Sequence, residues 1–138
     1  MKTTWILVAH GTSAKILAVE KNVPKIIKQF SHPRTGKKEA GNAEQSHAID
    51  YGTGAEDHER QVFAREIIVF LNHALTQREY TDLILVASRD LMGELRQSCP
   101  ETIKRVISHE LSKDLIPQHL SDKELIEKIK NDLDLLHL

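Results

Sequence analysis

Basic side chains are concentrated in the first quarter of the sequence, where they are suited to binding phosphate groups. Residues 1–38 carry eight Lys and Arg and one acid, a charge of +7, and the remaining hundred residues carry −8. This asymmetry predicts a surface that binds a polyanion, with salt-sensitive affinity. The same lysines also suit an edge strand protected against aggregation, and the sequence leaves both interpretations open. The residues of the predicted surface are Lys15, Lys21, Lys25, Lys28, Arg34, Lys37 and Lys38.

The aromatic residues limit what kind of polyanion such a surface would bind. The chain has one Trp, two Tyr and three Phe, and most of them occupy core-like positions. Proteins that read single-stranded nucleic acids use exposed aromatic rings as stacking platforms. The sequence shows no such platform, which argues against base reading; contact with phosphates, as of RNA or the ribosome, stays open, and no reading of a DNA sequence is expected.

Potential metal ligands are numerous but poorly spaced. Nuclease chemistry with two metal ions needs convergent carboxylates. The first strand has none, and Asp82 and Asp90 flank a single later strand. No two histidines are four residues apart, which is the helical spacing of a zinc site. We expect surface histidines and neither a metal nor a cofactor; the eight are His10, His32, His47, His58, His73, His109, His119 and His137.

Nucleophilic and acid-base residues leave one enzymatic alternative. Cys99 is the only cysteine and has no nearby histidine in the sequence, so we expect a structural thiol. No nucleophile elbow, phosphate-binding loop or dinucleotide fingerprint is present. A hydrolase site in the polar segment 32–56 remains the alternative to a non-enzymatic protein. Its acid-base candidates are His47, Asp50, His58 and Glu59.

The pattern of apolar residues predicts the elements that position these groups. Three strands are expected at 4–9, 14–20 and 25–31, then a long polar loop at 32–56. The later elements are a helix from Glu56, a strand at 82–88, helices at 90–98 and 101–108, a strand near 109–113, and a helix capped by Ser121 and Glu124. This order predicts one α/β domain over residues 1–138, with a ribonuclease-H-like mixed five-stranded sheet (β-β-β-α-β-α-β-α) flanked by helices.

Composition favours a cytoplasmic protein. Hydrophobic residues make up 40% of the chain and charged residues 28%, which is typical of a globular domain. No apolar run approaches the roughly 20 residues that a membrane span needs. The first residues lack the pattern of a secretory signal, and one cysteine suits a reducing compartment. The sequence does not indicate an oligomeric state.

Four sequence blocks together resemble the bacterial host-attachment protein family. They are Trp5–Gly11, Phe63-Ala64, Leu91-Met92-Gly93-Glu94-Leu95-Arg96 and Lys113-Asp114-Leu115. This family is similar to the central domain of archaeal and eukaryotic peptide-chain release factors. The catalytic Gly-Gly-Gln of release factors is absent, since residues 40–45 read Ala-Gly-Asn-Ala-Glu-Gln. His10 stands where members of the family commonly have an acid.

The resemblance implies a role in attachment to host cells. Since no export signal is visible, the first hypothesis is a non-enzymatic cytosolic protein that supports attachment indirectly, by binding RNA or the ribosome through the basic N-terminal residues and the 32–56 loop. The remaining alternatives are the hydrolase and an adhesin exported by a non-classical route. We expect Gly93 to allow close backbone packing, and Arg96 to bond loop carbonyls or a carboxylate such as Asp114. The motif positions with an expected structural role are Trp5, Gly11, Leu91, Gly93, Leu95, Arg96 and Asp114.

Overall fold

A mixed five-stranded sheet organises the protein. The computed structural model describes residues 2–11, 13–20, 23–31, 52–115 and 120–133. The strands are β1 (Thr4–His10), β2 (Ser13–Glu20), β3 (Val23–Ser31), β4 (Asp82–Ala87) and β5 (Ile107–Ser112). The helices are α1 (Gly52–Thr76), α2 (Arg89–Ser98), α3 (Glu101–Lys104) and α4 (Asp122–Leu133).

The strand order across the sheet is β3-β2-β1-β4-β5. β1 pairs antiparallel with β2, and β2 pairs antiparallel with β3. β4 is parallel to β1, and β5 is parallel to β4. The predicted mixed five-stranded sheet with flanking helices is therefore confirmed, and its further assignment to the ribonuclease-H-like class stays a prediction.

Two hydrophobic layers cover the two faces of the sheet. Helices α1, α2 and α3 pack on one face, where Leu7, Ile16 and Leu85 point. Helix α4 packs on the other face, against Ile6, Val8 and Ile84. Strands buried on both faces read as continuous apolar runs, which is why β1 and β4 are evident in the sequence.

An aromatic cluster joins the sheet to α1. Trp5 on β1 stacks on Tyr80 at a centroid distance of 4.6 Å and on Phe70 at 6.4 Å. The buried hydroxyl of Tyr80 donates a 2.8 Å hydrogen bond to the carbonyl of Leu71 in α1. Burial, and secondarily Cys99, raises the pKa of this hydroxyl above its ordinary value, so it remains a donor in the folded protein.

Local sequence signals fix two of the connections. Gly11, which follows β1, has φ +62°, a backbone conformation that glycine adopts without the steric cost of a side chain. At the start of α4 the Ser121 hydroxyl accepts a hydrogen bond from the Glu124 amide, and the Glu124 carboxylate accepts one from the Ser121 amide. The predicted capping box is confirmed.

Two predicted boundaries are wrong. Helix α3 ends at Lys104, well before the predicted 108, because the Val106 carbonyl accepts a hydrogen bond from the Leu83 amide. That bond starts the β4–β5 pairing, and from there the backbone groups of β5 bond to the sheet. Helix α1 begins at Gly52, within the range predicted as loop, because the apolar stripe that identified it begins only at Val62. Residues 32–51 of the predicted loop lie outside the described residues.

Because β4 is buried on both faces, truncation of one of its side chains should destabilise the protein. Leu85→Ala should lower the free energy of unfolding by about 2–5 kcal/mol, because the side chain is fully buried at the centre of the sheet. Val69→Ala is the matched control, since Val69 on α1 is 68% exposed and should change stability by no more than about 0.5 kcal/mol. Urea unfolding followed by circular dichroism measures both. Equal losses in the two variants would contradict the layered core.

Candidate functional site

Two of the predicted basic residues, Lys25 and Lys28, share one face of the edge strand β3. Lys25 pairs with Ala18 and Lys28 pairs with Ile16. Lysines three positions apart would point to opposite faces of a regular strand. A bulge opposite Ile16 and Leu17 inserts one extra residue between them. Both lysines therefore lie on the face that α1 covers, and both are exposed.

Lys28 lies against an aromatic surface at this edge. Its Nζ is 5.7 Å from the ring centroids of both Phe30 and Phe70, within range of a cation–π contact. The two rings meet edge to face at 5.8 Å. Phe30 is buried and Phe70 is half-buried, so neither ring lies open for a base to stack on it. At this edge, Lys25 and Lys28 are therefore exposed, while the two aromatic rings are packed against the core.

Lys15 is on the opposite face of the sheet. Its Nζ lies 2.8 Å from Oδ1 of Asp122 at the start of α4, and its side chain is 13% exposed. The structure thus separates Lys15 from Lys25 and Lys28, although all three belong to the surface predicted from the sequence. An alternating strand sends neighbouring positions to different faces, and Lys15 is engaged in fastening α4 to β2. Lys21, Arg34, Lys37 and Lys38 lie outside the described residues.

The motif block at the start of α2 has a structural role in part. Leu91 and Leu95 are buried in the core under α1, as their four-residue spacing predicts. Trp5 is also in this core. The expectation for Gly93 is wrong: it is exposed, and a Cβ added there would meet nothing within 4 Å. Close backbone packing therefore does not require glycine at this position.

Arg96 bonds a carboxylate, which is one of the expected alternatives, but that carboxylate is not Asp114. Arg96 hydrogen-bonds Glu110 on β5 through Nε at 2.9 Å and also through Nη2. Asp114 instead faces His10, with 3.7 Å between its Oδ1 and the ring Nε2. Helix α2 runs back along the sheet from the carboxyl end of β4, so its last turn has left the end of β5 where Asp114 lies. Spacing in the sequence cannot reveal that direction.

The histidine and carboxylate side chains considered as acid-base or metal-binding candidates do not come together in one reaction centre within the described residues. His58 and Glu59 lie on α1, His73 lies near its end, and His47 and Asp50 are outside the described part. No group of three or more His, Cys, Asp or Glu side chains able to hold a metal occurs among the residues that the structure describes. Asp82 pairs with Lys2 at 3.2 Å at the opposite end of β4 from Asp90.

Cys99 is a buried thiol at the end of α2. Burial raises its pKa, an effect that Lys104 opposes and Glu110 reinforces. A thiol that stays protonated is a poor nucleophile. The structural role expected for Cys99 therefore agrees with its position in the core.

Sequence reasoning missed one concave surface, at the carboxyl ends of β4 and β5. It is lined by Arg89, Ser112, Lys113 and Asp114. Arg89 and Lys113 are more than twenty residues apart, and only the parallel pairing of β4 with β5 brings them together. The available signal was topological, because ligands of open α/β sheets bind beyond the carboxyl ends of parallel strands.

Removal of Gly93 provides a prediction for the α2 block. Gly93→Ala should raise the free energy of unfolding by about 0.5–1 kcal/mol, because alanine is the better helix former and the site has room for its methyl group. Chemical denaturation of the variant beside the unchanged protein measures the effect. A loss of stability would show that glycine is needed in the fold at this position.

None of the helices in the described ranges is both long enough and apolar enough to cross a bilayer.

Comparisons with known structures return the same architecture in larger proteins. An archaeal protein matches with a TM-score of 0.56 and 8% identity, over 97% of this chain and 34% of its own. The crystal structure of an archaeal translation termination factor matches with a TM-score of 0.51 and 8% identity, over 96% of this chain and 39% of its own. At this identity the likeness concerns the fold alone.

Comparisons by sequence identify the family. An uncharacterized protein of Rickettsia prowazekii (strain Madrid E) is 33% identical over 72 residues, which are 51% of this chain. The match covers 47% of that relative, about half of its length. The family model described as "Protein required for attachment to host cells" matches residues 5–129. Because this match spans most of the sequence, the chain belongs to that family.

Proposed function

We propose that this protein is a non-enzymatic cytosolic member of the host-attachment family that supports attachment indirectly, by binding RNA, including that of the ribosome. The observation that carries the proposal is the β3 bulge, which places Lys25 and Lys28 on one face of an exposed edge. Neither lysine forms an ion pair with an acid in the described part of the chain. Both ammonium groups are therefore available to phosphates without the cost of breaking a salt bridge.

The surroundings of β3 support contact with RNA phosphates in particular. Lys28 rests on the rings of Phe30 and Phe70, which restricts its side chain. The segment that follows Ser31 adds Arg34, Lys37 and Lys38 in sequence. The same fold occurs in a translation termination factor, which is a precedent for this architecture in a protein of translation. In that interpretation Lys25 and Lys28 begin a basic surface that tracks an RNA backbone.

Charge removal at β3 tests the RNA proposal. The double variant Lys25→Gln/Lys28→Gln should weaken binding to a fluorescently labelled single-stranded RNA. It should also reduce the slope of log affinity against log salt by about 0.7 for each RNA phosphate that the protein no longer neutralises. Anisotropy titrations across a salt series measure both quantities.

A matched control removes two lysines from another surface. Lys123 and Lys128 are exposed on α4, on the opposite side of the sheet, so Lys123→Gln/Lys128→Gln changes the net charge equally. We expect this control to retain most of the affinity. The proposal fails if the unchanged protein binds no RNA, or if both double variants lose affinity to the same degree.

Cell fractionation tests the cytosolic and indirect part of the proposal. In cells that express the protein, we expect it in the cytosolic fraction, sedimenting partly with ribosomes and released from them by high salt. Protease added to intact cells should leave it uncleaved. Cleavage on intact cells would favour the exported adhesin instead, and the distribution of a known cytosolic protein serves as the control for lysis.

A further inference from the structure

The carboxyl ends of the three parallel strands β1, β4 and β5 meet at one edge of the sheet. His10 ends β1, Arg89 follows β4, and Lys113 and Asp114 follow β5. The backbone of β5 is held to this edge by a 3.0 Å hydrogen bond from the Lys113 amide to the Ala87 carbonyl. Open α/β sheets bind ligands in the crevice at such an edge.

The crevice has a cationic side. Arg89 is exposed and forms no ion pair with any acid in the described ranges. Lys113 is paired with Asp132 of α4, which holds the ammonium in place, and an ammonium has three N–H donors. Ser112 adds a hydroxyl between them. A guanidinium, a fixed ammonium and a hydroxyl together form a donor set that suits a phosphate group.

The same crevice also has an acceptor. Asp114 lines the same concave surface, and its side chain is 75% exposed. The His10 ring lies beside it, with Nε2 3.7 Å from Oδ1 and therefore beyond hydrogen-bonding distance. The carboxylate can accept hydrogen bonds from hydroxyl groups, and it would repel a phosphate placed against it. The crevice thus contains both hydrogen-bond donors and a carboxylate acceptor.

We infer that this crevice is a binding site for a small phosphate monoester that also carries hydroxyl groups, such as a sugar phosphate. The phosphate group lies between Arg89, Ser112 and Lys113, and the sugar hydroxyls donate to Asp114. The inference goes beyond the proposed RNA surface. β3 is four positions away from β5 in the sheet, roughly 19 Å at the usual strand spacing.

Ribose 5-phosphate, inorganic phosphate and ribose separate the two halves of the site. Titrated into the isotopically labelled full chain, ribose 5-phosphate should shift the amide signals of Ser112, Lys113 and Arg89 in two-dimensional NMR spectra. Inorganic phosphate should shift the same signals with lower affinity, and ribose alone should leave them unmoved. The titration extends to about 10 mM, which covers the millimolar affinities of weak sites.

Two substitutions and a control assign the roles. Arg89→Gln should weaken the binding of both phosphate ligands about tenfold, because a charged bidentate donor is lost. Asp114→Asn should lower the ratio of affinities for ribose 5-phosphate over inorganic phosphate. Arg65→Gln, an exposed arginine on α1, should change neither affinity. Retention of the other amide positions shows that each variant is folded.

Specific outcomes would overturn the inference. It fails if ribose 5-phosphate shifts none of the three signals, or if Arg89→Gln binds as tightly as the unchanged protein. An unaltered affinity ratio in Asp114→Asn overturns the acceptor role. RNA affinity measured on Arg89→Gln keeps this test separate from the Lys25 and Lys28 test, since the two proposals concern different edges of the sheet.

Discussion

The burial of β1 and β4 on both faces is the constraint on which the rest of the structure depends. Trp5 and Leu85 point toward α1, while Ile6 and Ile84 point toward α4. Strands of this kind have no solvated face, so each needs a helical layer on either side. Among the helices in the described ranges, α4 is the one that packs on the second side, and it is fastened by apolar contacts and by the Lys15–Asp122 pair. The described residues of β1 and β4 that are buried on these faces include no charged group, so charges that could act on a ligand lie on the helices and at the margins of the sheet.

The elements that sequence reasoning finds correctly are those encoded by neighbouring residues. The apolar runs of β1 and β4 and the capping box at Ser121 are local signals, and all appear in the structure. The boundary between α3 and β5 is not local, because it is set by the bond between Leu83 and Val106. At this boundary, strand pairing overrides the helix propensity of the local sequence.

The candidate site was less predictable than the fold, for a related reason. Which lysines share a surface depends on strand parity, and one bulge in β3 reverses the parity between Lys25 and Lys28. The separation of Lys15 from Lys25 and Lys28 could be recognised only from the pairing register of β2 and β3. The partner of Arg96 depends on the direction in which α2 crosses the sheet. Counting charges in the sequence identifies the basic residues but does not show which of them share a surface.

The two margins of the sheet, at β3 and at the carboxyl ends of β4 and β5, are chemically different. At β3, Lys25 and Lys28 form no ion pair with an acid of the described residues and Lys28 lies beside rings that are packed inward, which suits a flexible chain of phosphates. At the carboxyl ends of β4 and β5, Arg89 and Asp114 present opposite charges across one crevice, which suits a small ligand with both acceptor and donor groups. A long polyanion would meet repulsion from Asp114 in that crevice. The shape and the charge of each edge thus suit a different class of ligand. The core fixes both properties, and its described residues contribute no charge.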